Sequence, residues 1–321
     1  MYKLIFLRVI AVIPILIGVS VISFSLMQLI PGDITLTLLG PFATDSSRKI
    51  LMEFYGLDQP IYIQYFKWLG NFIQGDFGRS IAYKMPISEI IFIRVFNTAI
   101  LTLVSATIAI FVGFLFGILS GIKRFSFFDR ICTLMALIAA SAPTVWISIM
   151  LLYVFSLKLR WFPATGMYSI GKDGDIINLL WHLPLPALSA SFVSLAVIFR
   201  LSRSNLLDIL NQDYIRAAKA RGIPRVHILG SYAIKILLPG IVNISGLQIG
   251  FIFGASLFVE VIFQWPGVGL LMYNATLSRD VPMIQAVLLI LAIVFVIVNL
   301  ISDIVTSIMN PQLRNKSTDK S

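Results

Sequence analysis

Charged residues are scarce in this sequence. Asp, Glu, Lys and Arg make up 12% of the 321 residues, whereas a soluble domain uses about 25% to cover its surface. Apolar residues make up 58%, and the mean hydropathy is +0.92. The length would suit two soluble domains or a bundle of membrane helices, and the scarcity of charge favours the bundle.

Groups that carry chemistry are scarce as well. Cys132 is the one cysteine, so no disulfide within the chain is possible. The two histidines, His182 and His227, belong to no metal-binding motif. The sequence has neither a phosphate-binding loop of the Gly-x-x-x-x-Gly-Lys-Ser/Thr type nor a Gly-x-Ser-x-Gly elbow. We therefore predict no catalytic residue, no metal ligand and no bound cofactor in this chain.

Long apolar runs, by contrast, recur along the chain. A helix needs about 20 apolar residues to cross about 30 Å of hydrocarbon. Six runs meet or approach this length: residues 9–30, 99–122, 131–157, 186–201, 236–263 and 283–301. The first exceeds the apolar region of a signal peptide and lacks a small-x-small cleavage site, so we interpret it as an uncleaved span. The sequence thus predicts an all-α, polytopic membrane protein with six transmembrane helices.

The basic residues indicate which side of the membrane each loop faces. If both termini are cytoplasmic, the inner loops hold 15 of the 25 Lys and Arg in 63 residues, and the outer loops hold 10 in 115. This difference follows the positive-inside rule, so we predict that both termini are cytoplasmic. The net charge of +10 does not indicate nucleic acid as a partner, because the basic residues form no stripe between aromatic ones.

The first outer loop, residues 31–98, contains a predicted helix. Pro60 suits the first helical position, and Gly70 suits the end. The Tyr, Phe and Trp residues between them are typical of the lipid headgroup layer. Either this helix lies on the membrane or it provides a docking surface for a partner, and the sequence leaves both readings open.

The loop between the fourth and fifth spans contains a short helical pattern at residues 212–224. Asp213 suits the N-cap of a helix, Arg221 suits its last turn, and Gly222 suits the position that ends it. About eight helical residues are marginal alone in water, so another surface must hold them. Small side chains would let a partner approach closely: Ala217, Ala218 and Ala220. The alternative is a solvated loop that is basic only because of the positive-inside rule.

A few polar and small residues interrupt the apolar runs. Glu260 lies near the outer end of the fifth run, where a carboxylate must face protein or water. It is either a pathway or gate residue, or a hydrogen-bonded structural acid. Weaker candidates of the same kind are Asn97, Asn243, Ser245 and Gln248. The spacing of Gly113, Gly117 and Gly121 predicts a face for close helix packing.

Several stretches carry a resemblance to a known family. The run Asp-Tyr-Ile-Arg-Ala-Ala-Lys-Ala-Arg-Gly at 213–222 follows Arg-Leu-Ser-Arg-Ser at 200–204. Further matching motifs lie at 30–33, 56–60, 75–78, 259–269, 279–282 and 299–303. Together they resemble the ABC importer permeases of the dipeptide, oligopeptide and nickel branch, also called binding-protein-dependent transport system permeases. The chain departs from the usual pattern at Arg216 and within 231–236 and 310–314.

The resemblance implies a type I ABC importer permease fold in a bacterial inner membrane, surrounded by lipid. It implies a second homologous permease, an extracytoplasmic substrate-binding protein and two ATP-binding subunits, which would bind the ATP and Mg. The implied domains are a first span at 1–30, a periplasmic loop with an interfacial helix at 31–98, a five-helix core at 99–310 with the coupling loop at 205–235, and a cytoplasmic tail at 311–321. The implied cargo is a dipeptide or oligopeptide, and the alternative is nickel, another metal chelate or an opine-like molecule.

The resemblance also implies roles for two sets of residues. The first set forms a coupling helix that fits a cleft on the ATPase: Asp213, Tyr214, Arg216, Ala217, Ala218, Lys219, Arg221 and Gly222. The second set contacts a periplasmic partner or forms a gate: Asp76, Gly78, Glu260, Trp265, Pro266 and Gly267.

Two other classes of protein fit the sequence less well. A membrane enzyme would need a paired nucleophile and base, and the sequence offers none. A self-sufficient secondary transporter or channel would place ionisable residues in several spans. Here only Glu260 and the terminal Asp303 qualify.

Overall fold

The computed structural model describes residues 2–29, 44 and 58–309. The helices are α1 (Tyr2–Leu29), α2 (Ile61–Ile73), α3 (Ile87–Ile122), α4 (Phe127–Ser141), α5 (Thr144–Leu151), α6 (Ile176–His182), α7 (Pro184–Leu210), α8 (Asp213–Ala220), α9 (Arg225–His227), α10 (Ile234–Ile262), α11 (Val268–Leu277) and α12 (Val281–Met309). The π-helical turn Leu152–Lys158 continues α5, and the π-helical turn Ile228–Ala233 joins α9 to α10. Among the described residues, the β structure is limited to a single bridge between Arg79 and Pro86. The predicted all-α class is confirmed.

The number of spans evident among the described residues is smaller than predicted. Four described helices are long and apolar enough to cross a membrane, and a fifth span results if the bent pair α4 and α5 is one span. In α1, which has 28 residues, the described apolar stretch is the shorter Ile10–Ser25. The prediction of six spans is therefore not confirmed. Some predicted features lie outside the described residues: the motifs at 30–33 and 56–57, the segment 310–314 and the tail at 311–321. The domain boundaries stay predictions.

The third predicted span, 131–157, is broken in the structure. α4 ends at Ser141, α5 begins at Thr144, and the helix axis bends by 111° between Phe127–Ser141 and Thr144–Lys158. Pro143 causes the break, because it disfavours helical backbone at the residue before it. Ala142 accordingly takes an extended conformation, with ψ at 132°. The sequence predicted a span here but not its break, because a two-residue interruption barely changes the hydropathy of the run.

The helices of the outer region also differ from the prediction. α3 begins at Ile87 and runs without a break through residue 98, where the sequence suggested a loop. Pro60 is the N-cap of α2 and not its first residue, and α2 continues past Gly70 to Ile73. Gly75, with φ at +85°, follows the end of α2 in the left-handed conformation. Its N–H and that of the next residue donate to carbonyls of the last helical turn, which completes a Schellman motif.

The described chain forms two compact units. The first contains residues 2–8, 96–270 and 295–309, and the second contains 9–29, 58–95 and 271–294. The core of the first unit is built from buried apolar side chains of α3, α7, α10 and the turn after α10. Its fully buried members include Leu101, Ile198, Ile252, Phe263 and Trp265.

The predicted glycine face of α3 packs against α7 in this first unit. A Cβ at Gly113 would lie 2.8 Å from the carbonyl oxygen of Leu195, and one at Gly117 would lie 2.8 Å from that of Phe199. Gly121 faces the same helix one turn further on. Because a side chain at the first two positions would collide with backbone, the glycines set the distance between the helices, as predicted.

In the second unit, α2 packs on α1. The hydroxyl of Tyr65 lies 2.7 Å from that of Ser20, which also donates to a carbonyl of its own helix. The ring of Phe24 contacts the rings of Tyr65 and Trp68 at centroid distances of 5.5 and 5.6 Å. One face of α2 is therefore held by α1, while the opposite face leaves Phe66 exposed.

Candidate functional site

The predicted coupling helix forms as α8, with its ends shifted by one residue. Gln212 is the N-cap, Asp213 is the first helical residue, and Arg221 is the C-cap. The carboxylate of Asp213 thus lies in the first turn, where it complements the positive end of the helix dipole.

Gly222 ends α8 in the left-handed conformation that the sequence predicted, with φ at +77°. Its N–H donates to the carbonyl of Lys219 (3.0 Å), and the N–H of Ile223 donates to that of Ala218 (3.2 Å). These bonds form a Schellman motif, with Ile223 packed on the small core beneath the helix. A Cβ at Gly222 would meet nothing within 4 Å, so the backbone conformation alone calls for glycine here.

One face of α8 is buried in this chain. Ile215 and Ala218 are buried and pack with Ile228, the first residue of the π-helical turn that leads into α10. The expectation that Ala218 lies against another protein was therefore wrong, because its methyl group faces the chain's own core. With a core of so few side chains, α8 rests on a small apolar contact.

The opposite face of α8 is exposed and carries the rest of the predicted set. Ala217 and Ala220 are both exposed, which leaves room for a close backbone approach. Around them are exposed polar side chains: Tyr214, Arg216, Lys219 and Arg221. The guanidinium of Arg216 is 3.4 Å from the carboxylate of Asp213, an exposed pair worth no more than about 1 kcal/mol. This pair would therefore yield easily to a stronger partner.

Glu260 lies in the last turn of α10 and is fully buried. Its Oε1 accepts a hydrogen bond from the hydroxyl of Thr98 (2.6 Å), and its Oε2 accepts bonds from the N–H groups of Gly269 (2.6 Å) and Leu270 (3.2 Å). The hydroxyl of Thr98 in turn accepts from the N–H of Val268 (2.8 Å). Together they cap the N-terminus of α11 and tie it to α3 and α10. Of the two open readings, this geometry favours the structural acid.

Trp265, Pro266 and Gly267 form the turn between α10 and α11. The indole of Trp265 is fully buried and donates to the carbonyl of Asn97 (3.0 Å), whose side-chain amide donates to the carbonyl of Pro266 (2.8 Å). A Cβ at Gly267 would collide with the carboxylate of Glu260. Trp265 and Gly267 are both enclosed by their own chain, which argues against contact with a periplasmic partner, and their alternative role in a gate stays a prediction.

Asp76 and Gly78 form a tight polar turn in the second unit, as the sequence predicted. The carboxylate of Asp76 accepts from the N–H of Gly78 (2.9 Å), and Gly75 and Gly78 both have positive φ values. All three residues are exposed. The turn is thus accessible, and its role in docking stays a prediction.

Asp280 is a buried anchor that the sequence reading did not single out. Its carboxylate accepts hydrogen bonds from the hydroxyl of Ser80, the N–H of Ala82 (3.1 Å) and the N–H of Met283 (3.3 Å). It therefore fastens the loop before α3 to the N-terminus of α12. The motif at 279–282 contained this residue, but its partners lie far away in the sequence.

Asp129 is a second anchor that sequence reasoning missed. Arg203 binds its carboxylate in a bidentate manner, at 2.6 and 2.9 Å, and the hydroxyl of Ser120 and the N–H of Phe125 also donate to it. The pair links α3, α4 and α7. The spacing of Ser126, the N-cap of α4, and Asp129 three residues later is a helix-start signal that could have pointed to this site.

Comparison with known proteins adds two family matches. The family model described as "Binding-protein-dependent transport system inner membrane component" matches residues 113–315. The model described as "Binding-prot-dependent transport system membrane comp, N-term" matches residues 1–104.

Individual relatives match over nearly their full length. The oligopeptide transport system permease protein AppB of Bacillus subtilis (strain 168) is 39% identical over 307 residues, covering 95% of this chain and 97% of the relative. The dipeptide transport system permease protein DppB of Alkalihalophilus pseudofirmus is 33% identical, covering 96% and 98%. The glutathione transport system permease protein GsiC of Escherichia coli O1:K1 / APEC is 33% identical, also covering 96% and 98%.

A solved structure shares the fold. An inward-facing MetNI methionine ABC transporter chain superimposes with a TM-score of 0.58 at 17% identity, covering 69% of this chain and 96% of that one. At this identity the likeness concerns the fold alone.

Proposed function

Because the chain belongs to the family of binding-protein-dependent transport system inner membrane components, we propose that it is the permease subunit of an ATP-driven importer that moves peptides. Family membership itself makes the chain a multi-pass inner-membrane transport component and not an enzyme. The observation that carries the proposal is the near-full-length match to proteins named as peptide permeases.

The proposed cargo is a dipeptide or oligopeptide. Relatives at 33–39% identity carry oligopeptide, dipeptide and glutathione in their names, and all three are peptides. This agreement supports a peptide over the alternative of nickel, another metal chelate or an opine-like molecule.

The proposed assembly contains a second permease, two ATPase subunits that bind ATP and Mg, and an extracytoplasmic substrate-binding protein. The sequence has no phosphate-binding loop, which supports ATP hydrolysis by separate subunits. The exposed face of α8, with Ala217 between basic side chains, supports docking to an ATPase. The exposed turn at Asp76 is the proposed contact for the binding protein.

The proposed topology has six spans and cytoplasmic termini. With 28 residues, α1 reaches about 42 Å, which exceeds the hydrocarbon thickness of about 30 Å. The bent pair α4 and α5 would be one broken span. A cytoplasmic reporter fused at Gln212 should be active, and a periplasmic reporter should be active at Gly75. The opposite pattern would reject this orientation.

The proposed mechanism passes movement from α8 along α10. ATP-driven closure of the ATPases would displace α8. Ile215 and Ala218 pack on Ile228, and from there the helix runs through the π-helical turn into α10. The far end of α10 carries Glu260, which holds Thr98 of α3 and the start of α11. Displacement of the end of α10 next to α8 would therefore reach α3 and α11, which contact the end of α10 that carries Glu260.

Transport by the purified assembly tests the proposal. The permease pair, the ATPases and the binding protein are reconstituted into liposomes, and uptake of a labelled peptide is compared with uptake of a nickel chelate. We expect peptide accumulation that requires ATP. Uptake of the nickel chelate without uptake of the peptide would reject the peptide as cargo. Equal peptide uptake without the ATPases would reject the ATP-driven importer in favour of a secondary transporter.

A further inference from the structure

An apolar groove of about 640 Å³ lies inside the second unit, between α1, α2, α3 and α12. Its walls include Ile17 of α1, Phe72 of α2, Phe92 of α3 and Ile290 of α12. Among the described lining residues, one side chain is polar, that of Ser20, and its hydroxyl is already bonded within the unit. The groove thus offers hydrocarbon surface and makes no demand for a polar ligand group.

The groove lies at the depth of acyl chains. Its α12 wall, residues 289–294, lies about 12 to 20 Å from the start of that helix. Its α1 wall, residues 13–20, lies about 14 to 24 Å from the end of α1 on the same side. One leaflet contributes about 15 Å of hydrocarbon, so these walls extend from deep in the leaflet that borders α2 to beyond the bilayer midplane, a depth at which acyl chains are the neighbours. Gly75 and Phe77 line the end next to α2, whose aromatic residues suit the headgroup layer.

The groove is continuous with apolar surface that the chain presents to the membrane. Ile13, Ile17 and Phe92 line it, and each keeps more than half of its surface exposed. In an inner-membrane component, exposed apolar residues of spanning helices meet lipid tails. A lipid could therefore enter from the side without crossing a polar barrier.

The composition of the walls argues against a helix of a partner permease as the occupant. Helices pack closely in membranes through small residues, as the glycine face of α3 does against α7. The groove walls are instead mostly Ile, Leu, Phe and Val, with Gly75 and Ser20 as the small residues. We propose that the groove is a binding site for an acyl chain of a membrane phospholipid from the leaflet that borders α2.

Lipid retention and cross-linking test this proposal on the assembled complex purified in mild detergent. Native mass spectrometry counts the bound phospholipids, and a phospholipid with a photoactivatable acyl chain maps their position. We expect a retained phospholipid in the wild type and cross-links within residues 289–294. Ile17→Trp, which fills the groove, should reduce these cross-links about tenfold, equivalent to about 1.4 kcal/mol of binding. Ile290→Phe fills the groove from the opposite wall and should act in the same direction.

Ile22→Trp is the matched control, because Ile22 is exposed on the same helix but does not line the groove. It should keep both the lipid and the cross-links. Wild-type protein without cross-links in the groove would overturn the proposal even if every variant failed to fold. Equal labelling of the Ile17→Trp and Ile22→Trp variants would also overturn it. The proposal would also be overturned if the Ile17→Trp variant lost the second permease but retained the lipid. It would likewise be overturned if the groove held an adventitious detergent molecule only.

Discussion

α8 and the corner around Glu260 differ in what holds them in place. α8 rests on a few apolar side chains around Ile215 and leaves its charges exposed. The corner buries its carboxylate and gives both oxygens a hydrogen-bond donor. A surface that exchanges partners has to stay accessible, whereas a buried charge persists only when it is satisfied. The difference indicates that Glu260 serves as a structural anchor, whereas α8 keeps one face accessible to a partner.

Removal of the Glu260 carboxylate should have the largest effect. Glu260→Ala leaves a hydroxyl and two backbone N–H groups buried without their acceptor, and each such group costs about 1–3 kcal/mol. We expect a loss of at least about 3 kcal/mol in stability, seen as a lower melting temperature of the purified complex. Glu89→Ala, at an exposed acid in the first turn of α3, is the control. If Glu260→Ala kept full stability but lost transport, the residue would be a gate and not an anchor.

Bulk on the glycine face of α3 should have the next largest effect. Gly117→Leu would force a side chain onto the carbonyl of Phe199, and overpacking of this kind costs about 1–3 kcal/mol. Gly254→Leu is the matched control, because a Cβ there meets nothing within 4 Å. Thermal unfolding of both variants checks the prediction. An equal melting temperature for the two would mean that α3 and α7 can separate without cost.

Asp129→Asn tests whether the buried carboxylate of Asp129 anchors the start of α4. The variant keeps the size of the side chain but removes the charge that Arg203 binds at two positions. Because Arg203 is partly exposed, water compensates for some of the loss, and we expect a cost of about 1–3 kcal/mol. Asp213→Asn, at the exposed pair of α8, should leave the melting temperature unchanged. Identical behaviour of the two variants would remove the distinction between anchor and surface.

The smallest expected effect is at Gly222. Gly222→Ala forces a side chain into the left-handed conformation at a cost of about 1–2 kcal/mol, although no neighbour is in its way. Gly222→Asn should be milder, because asparagine tolerates this conformation better. Peptide uptake per ATP hydrolysed by the reconstituted complex measures whether the end of α8 matters for coupling. Full coupling in the Gly222→Ala variant would show that coupling does not depend on a glycine at the end of α8.

Local signals made α8 predictable and left its contacts unpredictable. The N-terminal acid, the run of small residues and the glycine gave the helix and its left-handed stop to within one residue. The sequence did not reveal that Ala218 points inward, because that depends on Ile228, which follows in the next helical segment. The break at Pro143 was readable from the proline but was hidden by the hydropathy of the run.

The anchors show the same limit over longer distances. Ser80 and Asp280 lie 200 residues apart, and Thr98 and Glu260 lie 162 apart, so no sequence window contains either pair. A single acid in an apolar run could be identified as unusual, but its partners come only from the packing of the helices. The glycine face of α3 was predictable because its spacing is local and its requirement is steric.

We propose that α8 couples this permease to a partner ATPase through its exposed face, and substitutions at Ala217 probe that coupling. Ala217→Trp adds bulk at an exposed position of α8, and Ala217→Ser at the same site keeps the side chain small. Peptide uptake and stimulated ATP hydrolysis are measured on the same reconstituted complex. We expect the tryptophan variant to insert normally but to lose most ATPase binding or coupling, while the serine variant works as the wild type does. Wild-type uptake and hydrolysis in the tryptophan variant would contradict the claim.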